Sequence, residues 1–198
     1  IEGHLVHDNL ITDQHGDGIL VGYYVTGENW FYNNVIVRAG LAPGFPDGDS
    51  SHAGMRISAG HESNPATTIH AYNNTFYENG WSAGAYGNGN LYVDADAVAR
   101  TTILFTNNVL VSTGDPNVSA DSADLGAGPH QNLWFGAEGA PAWDAAAVVA
   151  DPLFADAAAD DLHVLAGSPA VDSGSAAVLS VLTNDFDGVV RPQGDAVD

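Results

Sequence analysis

The residues of this chain that could take part in chemistry are mostly acids. Asp and Glu number 25, against four Arg, and the chain has neither Lys nor Cys. The absence of Cys excludes a thiolate nucleophile, a disulfide framework and a thiolate metal site. A glycoside hydrolase needs two carboxyl groups that flank the scissile bond. At the position where neighbouring repeats could present such a pair, the sequence has one carboxylate, Asp94. Asp160 and Asp161 do form a pair of acids, but they lie in a turn-like context.

The charge of the chain limits the partners that it can bind. A formal net charge of −21 disfavours nucleic acid and anionic membranes, because phosphate binding requires clustered cations. Neutral polymers and cations remain as ligands. The acidic loops DQHGDG and PDGDSS place Asp17, Asp47 and Asp49 at equivalent corners, and their oxygens suit Ca²⁺, although no cofactor is required. Asp–Gly turns are the alternative interpretation of both loops.

A repeated phrase defines the elements that position these residues. The copies are anchored on Asn9, Asn34, Asn74 and Asn108, which are 25, 40 and 34 residues apart. They read VHDNLITDQHG, FYNNVIVRAG, AYNNTFYENG and FTNNVLVSTG. A constant phrase at variable intervals indicates one structural unit with insertions of different length. The phrases alternate apolar and polar residues with a period of two, so they are predicted to be strands.

Each repeat holds a second strand phrase after a loop. These phrases are GILV (18–21), GMRI (54–57), NLYV (90–93) and NLWF (132–135). Strands that recur once per turn stack in parallel, which predicts an all-β solenoid of about four to five turns over residues 1–141. Residues 142–198 lack the phrase and are predicted to cap its end. The inward residues should form ladders, and the anchoring Asn side chains should bond to one another. The predicted ladders are Val6/Phe31/Ala71/Phe105, Ile11/Ile36/Phe76/Leu110, Ile19/Met55/Leu91/Leu133 and Val21/Ile57/Val93/Phe135.

The outward residues of the second strand are the candidate binding residues. Stacking predicts that Arg56, Tyr92 and Trp134 are neighbours, since adjacent strands are about 4.8 Å apart. Two aromatic rings on a flat sheet suit the faces of pyranose sugars. Arg56 and Asp94 could bond to sugar hydroxyls, and the loop NGWSAGAYGNGN adds Trp81 and Tyr86. The alternative is that these aromatic residues pack beneath the long loops.

The outward face of the first strand is also apolar. It carries Trp30, Tyr32, His70 and Tyr72. A face of this kind is usually covered, and the predicted cover is either the segment AAVLSVL (176–182) or a further part of a larger protein.

The repeats and the C-terminal stretch resemble right-handed parallel β-helix proteins of secreted bacterial polysaccharide-active systems. The resemblance rests on the NN phrases and on DPLF…DLHVLAGSPAVDSG (151–174) followed by DFDGVVRP (185–192). That group includes lyases, hydrolases, epimerases and non-catalytic carbohydrate-binding modules of xylan-degrading enzymes. A lyase of this kind would use a Lys or Arg base, and the chain has no Lys.

The resemblance therefore implies a non-catalytic module that binds xylan or a related neutral β-glycan. We expect it to be secreted, with its signal peptide and a catalytic domain lying elsewhere in a larger protein. A fragment of a polysaccharide lyase, hydrolase or epimerase is the first alternative. A purely structural surface or adhesin solenoid is the second.

Overall fold

The computed structural model describes residues 3–22, 24–40, 51–58, 66–80, 86–114, 116–119, 124–126 and 128–197. Within these residues the chain is mostly β-strand. The strands are β1 Leu5–His7, β2 Leu10–Thr12, β3 Ile19–Val21, β4 Gly27–Tyr32, β5 Val35–Val37, β6 Ser51–Ile57, β7 Thr67–Tyr72, β8 Thr75–Tyr77, β9 Tyr86–Val93, β10 Thr101–Ser112, β11 Gln131–Gly136, β12 Val148–Val149, β13 Phe154–Asp156 and β14 Asp161–Val164. One helix, α1, spans Ala95–Arg100, and short 3₁₀ helices span Ala157–Ala159 and Ala176–Ser180.

The repeated phrases form a large, curled parallel sheet, the first sheet. The half of each phrase before the anchoring Asn pairs in the order β1-β4-β7-β10, and the half after it pairs in the order β2-β5-β8-β10. The residue before each anchoring Asn has a positive φ, at 55° for Asp8, 52° for Asn33, 50° for Asn73 and 57° for Asn107. Asp and Asn tolerate this left-handed conformation better than most residues. Each of the first three phrases is therefore two short strands around a corner rather than the single strand that we predicted, whereas the fourth lies in the continuous strand β10.

The second strand phrases form a separate parallel sheet, the second sheet, of β3, β6 and β9. Its registers confirm three positions of each predicted ladder. Ile19 pairs with Met55 and Met55 with Leu91, and Val21, Ile57 and Val93 are paired in the same way. In the first sheet, the two predicted ladders are confirmed in full.

We predicted that the fourth second-strand phrase, NLWF, belongs to the second sheet, and this prediction is wrong. It lies in β11, which pairs with β10 of the first sheet, so Leu133 faces Val109 and Phe135 faces Val111. Leu133 and Phe135 therefore do not continue the ladders of Leu91 and Val93. The bridge partner of Leu91 on that side is Val118 instead.

The core lies between the two sheets and consists of the inward ladders. Phe76, Phe105, Met55, Ile57 and Leu91 are completely buried. Phe76 and Phe105 stack with their ring centroids 6.1 Å apart. Because like residues lie directly above one another, each added strand buries apolar surface against the strand before it.

The anchoring Asn side chains form the predicted ladder. Each amide Nδ2 donates to the Oδ1 of the next Asn, at 2.9 Å from Asn9 to Asn34, 2.9 Å from Asn34 to Asn74 and 3.0 Å from Asn74 to Asn108. The series continues to Asn132 at 2.9 Å and ends on the Asp144 carboxylate at 2.8 Å.

A second Asn ladder, which we did not predict, joins another corner of the molecule. Its members are Asn79, Asn90 and Asn117, with Nδ2 to Oδ1 distances of 2.8 and 2.6 Å. All three are buried and donate to backbone carbonyls as well.

The C-terminal stretch begins by continuing the first sheet and then runs along its side. Beyond residue 141, β12 pairs with β11, and the Trp143 indole packs edge-on against Phe105 and Trp134 at the end of the core. Val178 and Leu182 pack on Tyr72, with Trp30 and Tyr32 nearby. The predicted cover of the first sheet by residues 176–182 is confirmed. Val178 and Leu182 thus lie against the outer face of the first sheet, while Trp143 lies at the end of the core.

Candidate functional site

The candidate binding residues lie where the three strands of the second sheet end. Leu20, Arg56 and Tyr92 occupy equivalent outward positions, since Leu20 pairs with Arg56 and Arg56 with Tyr92. The strands are parallel, so their carboxyl ends meet at one edge of the sheet. Ser58 and Asp94 follow β6 and β9 at that edge, with Ser58 N donating to Val21 O and Asp94 N to Ile57 O. We call Arg56, Ser58, Tyr92 and Asp94 the edge cluster.

Arg56 is the centre of the edge cluster. Its Nε donates to Ser58 Oγ at 2.9 Å, and its Cζ lies 5.5 Å from the centroid of the Tyr92 ring. Its Nη2 lies 3.7 Å from Asp94 Oδ2, which is an ion-pair contact longer than a hydrogen bond. The side chains of Arg56 and Asp94 are 26% and 21% exposed. The guanidinium is thus held in one orientation while part of it still meets solvent.

Tyr92 is less available than the sequence suggested. The residue is 9% exposed, and the Arg56 guanidinium lies over its ring. A ligand could reach little of this ring, so the burial of Tyr92 does not favour the stacking role that the sequence suggested.

An exposed aromatic residue at the same edge was missed. Tyr24 is 73% exposed and lies just past β3, within a turn in which Val25 N bonds to Gly22 O. The phrase GYYV, directly after GILV, held the signal, since it places aromatic residues just past the end of the second strand phrase.

Trp134 is not part of this site. It pairs with Leu110 of the first sheet, is 0% exposed, and its indole Nε1 donates to Asp144 Oδ2 at 2.7 Å. The predicted contact of Trp134 with Tyr92 is wrong, because β11 joins β10 and not β9. Its side chain serves the core and the end of the Asn ladder.

The remaining predicted residues lie partly or wholly outside the described part of the chain. Trp81 and the side chain of Tyr86 are outside it, as are Asp47 and Asp49. Asp17 is described, and its carboxylate accepts the backbone N–H of Ala53 at 2.8 Å. Burial raises the pKa of Asp17 above its usual value. Among the described residues, no group of three His, Asp or Glu side chains is arranged so that it could hold a metal ion.

A hydrogen-bonded chain of three side chains lies on the outer face of the first sheet. His70 Nε2 is 2.5 Å from Glu28 Oε2, and His70 Nδ1 is 2.9 Å from the Tyr72 hydroxyl. Trp30 stacks on the imidazole with ring centroids 3.5 Å apart. The bond from His70 lowers the pKa of Glu28, and burial raises that of Tyr72. The Glu28 end of this chain is exposed, while the Tyr72 end lies under Val178 and Leu182.

Comparisons of the chain with protein-family models, with curated proteins and with solved structures found no match. In the part of the chain that the structure describes, no helix is long and apolar enough to cross a bilayer.

Proposed function

We propose that this chain is a right-handed parallel β-helix of about four to five turns that binds a neutral plant polysaccharide without cleaving it. Xylan or a related β-glycan is the proposed ligand, and the proposed setting is a secreted bacterial degradative enzyme with a catalytic domain. The fold proposal is supported by two parallel sheets and by corners that repeat with each pass of the chain. The Asn ladders that join those corners support it as well.

The edge cluster is the observation that carries the binding proposal. Arg56 is held in place by its bond to Ser58 and lies over the Tyr92 ring, Asp94 lies beside it, and the side chains of Arg56 and Asp94 remain partly exposed. Sugar hydroxyls both donate and accept, so a fixed donor next to an acceptor matches two adjacent hydroxyls on a ring. The exposed Tyr24 ring at the same edge adds a surface on which a pyranose can stack.

The charge of the protein supports a neutral ligand. Arg56 is neighboured by Asp94, and the whole chain carries a net charge of −21. An anionic polymer such as pectin would meet this negative field, whereas an uncharged glycan would not.

Affinity electrophoresis in gels that contain xylan, glucomannan, mixed-linkage glucan or pectin tests the proposal. We expect retardation by a neutral glycan, none by pectin, and no release of reducing or unsaturated ends. Arg56→Met keeps the stem and removes the donors, and it should weaken binding about tenfold or more, since a hydrogen bond to a charged group contributes about 1.5–3 kcal/mol.

Arg100→Met is the matched control, because Arg100 is an exposed arginine at the end of α1. Thermal unfolding of both variants checks that they remain folded. Retardation that survives Arg56→Met and Tyr24→Ala together would refute the edge cluster as the site. Release of ends from any glycan would refute the non-catalytic assignment.

The second candidate function is a polysaccharide lyase or hydrolase activity that uses the hydrogen-bonded side chains of Glu28, His70 and Tyr72. Glu28 is the exposed end of this series, so it would exchange the proton with the substrate, while Tyr72 on the other imidazole nitrogen orients the His70 ring. Release of ends that disappears in Tyr72→Phe, with unchanged thermal stability, would establish this candidate in place of the first.

A further inference from the structure

A cleft on the other side of the molecule, between the first sheet and the C-terminal stretch, has the features of a binding site. Its volume is about 260 Å³. Four side chains from two adjacent passes of the chain form its floor. Val35 pairs with Thr75, and Asn33 and Asn73 lie two residues earlier, at the corners that precede β5 and β8. The parallel register places two amides and a hydroxyl beside one valine. This floor is therefore polar and rigid.

The wall of the cleft comes from residues 163–164 and 185–193, and its charged groups are fixed by contacts. His163 Nδ1 is 2.5 Å from Asp161 Oδ1 and its Nε2 is 2.9 Å from Asp187 Oδ2. Arg191 Nη1 donates to Asn33 Oδ1 at 2.6 Å, which ties the wall to the floor. The contacts with both carboxylates raise the pKa of His163, which favours the imidazolium. A wall held in this way needs little reorganisation when a ligand enters.

The chemistry of the lining matches a ligand with both polar edges and an apolar face. Phe186 is 40% exposed at the cleft, and Val164 and Val35 are the other apolar side chains there. Gln193 and Thr75 can each donate and accept hydrogen bonds. An aromatic face beside such groups is the combination that a pyranose ring requires, because its C–H face is apolar and its rim carries hydroxyls.

Charge and size narrow the ligand further. The lining holds two acids, Asp185 and Asp187, and two bases, His163 and Arg191, so it favours neither an anion nor a cation strongly. Small-molecule pockets usually start at about 300 Å³, and this cleft is slightly smaller. It therefore suits a single ring rather than a run of chain.

We propose that this cleft binds one neutral pyranose unit, at a site separate from the edge cluster. The floor contacts its hydroxyls from Asn73 and Thr75, and Phe186 covers its apolar face. This proposal does not depend on polysaccharide binding at the second sheet, because the cleft shares no residue with the edge cluster.

The test is an NMR titration of the ¹⁵N-labelled protein with the methyl β-glycosides of xylose, glucose and galactose. At least one of them should give saturable shifts of the amides of Asn73, Thr75 and Gln193. A dissociation constant on the order of 1 mM is expected for a ligand of this size. Phe186→Ala and Gln193→Ala should each weaken binding at least fivefold. Val189→Ala should not, because Val189 is on the same turn but does not line the cleft.

Three results would overturn the proposal. The first is the absence of saturable shifts at these amides with all three glycosides. The second is a titration that is unchanged in both Phe186→Ala and Gln193→Ala. The third is stronger perturbation of the same amides by Ca²⁺ or inorganic phosphate. Arg56→Met separates the two sites, since it should weaken retardation in glycan gels and leave the glycoside titration intact.

Discussion

Replacing Asn74 by Ala should remove a large fraction of the stability of the protein. The Asn74 side chain makes four hydrogen bonds in the interior. Its Oδ1 accepts from the backbone N of Asn34 at 3.0 Å and from Asn34 Nδ2 at 2.9 Å. Its Nδ2 donates to Phe31 O at 2.9 Å and to Asn108 Oδ1 at 3.0 Å. Asn34 and Asn108 are 0% exposed, so water cannot replace the lost partners without a rearrangement.

The expected loss follows from these four bonds. At about 1 kcal/mol of net stability for each, Asn74→Ala should lower the free energy of unfolding by about 4 kcal/mol. That is a large part of the roughly 5–15 kcal/mol that stabilises a typical domain. In a domain of this length, the melting temperature should fall by roughly 8–16 °C. Asn74→Asp should cost at least as much, because it turns an acceptor toward Phe31 O and Asn108 Oδ1.

Urea and thermal unfolding, followed by tryptophan fluorescence, measure this loss. Asn9→Ala is the matched control, since Asn9 is the exposed end of the same ladder and donates to Asn34 Oδ1 and to His7 O. Water can take over those bonds, so the control should lose less than about 1 kcal/mol. Equal losses in Asn74→Ala and Asn9→Ala would refute the argument that burial makes the ladder stabilising.

Three further predictions concern the end of the ladder and the C-terminal stretch. Asp144→Ala removes the acceptor of Trp134 Nε1 and should lower the free energy of unfolding by about 3 kcal/mol, with a change in indole fluorescence; an unchanged urea midpoint would contradict it. Leu182→Asp should place a charge beneath the C-terminal stretch, detach it from the first sheet and make residues 165–197 sensitive to proteases, whereas resistance equal to the parent protein would contradict the packing. The contacts with Asp161 and Asp187 raise the pKa of His163. The contribution of these contacts to the stability of the protein is therefore complete below the pKa of His163 in the unfolded chain, about 6.5. It is lost as the pH rises through the higher pKa of His163 in the folded protein. His163→Gln should accordingly lower the melting temperature at pH 5.5 but not at pH 9, and equal decreases at the two pH values would refute the assignment.

The registers of the first sheet could be predicted from the sequence because the anchoring Asn side chains form hydrogen bonds with one another. An amide has a donor and an acceptor, so a buried Asn is satisfied by an identical Asn one strand away. Aligning the phrases on Asn9, Asn34, Asn74 and Asn108 therefore gave the correct strand pairs, and the apolar ladders followed from the two-residue alternation. The prediction that Arg56 and Tyr92 are neighbours was also correct, because the second strand phrases were aligned with one another in the same way.

The sheet to which NLWF belongs was decided by the tertiary structure. The alternation of apolar and polar residues determines which side chains face the core. Both sheets show the same alternation, so it does not indicate to which sheet a phrase belongs. A signal did exist, since Asn132 is the first residue of this phrase and lies 24 residues after Asn108, close to the spacing of the first two anchors. The structure uses Asn132 as the next ladder member, and this choice moved Trp134 from the expected binding face into the core.

The course of the C-terminal stretch was likewise decided by tertiary contacts. This stretch has no repeat that could fix a register, so its placement depends on surfaces formed by distant strands. Those surfaces include the Asn107 side chain, which bonds to Ser175, and the aromatic face on which Val178 and Leu182 pack. The sequence alone thus determined the repeating strands and their inward residues, because those interactions are between like residues at regular positions. The cleft and the composition of the edge cluster required the folded structure, because they join residues whose separation in sequence follows no period.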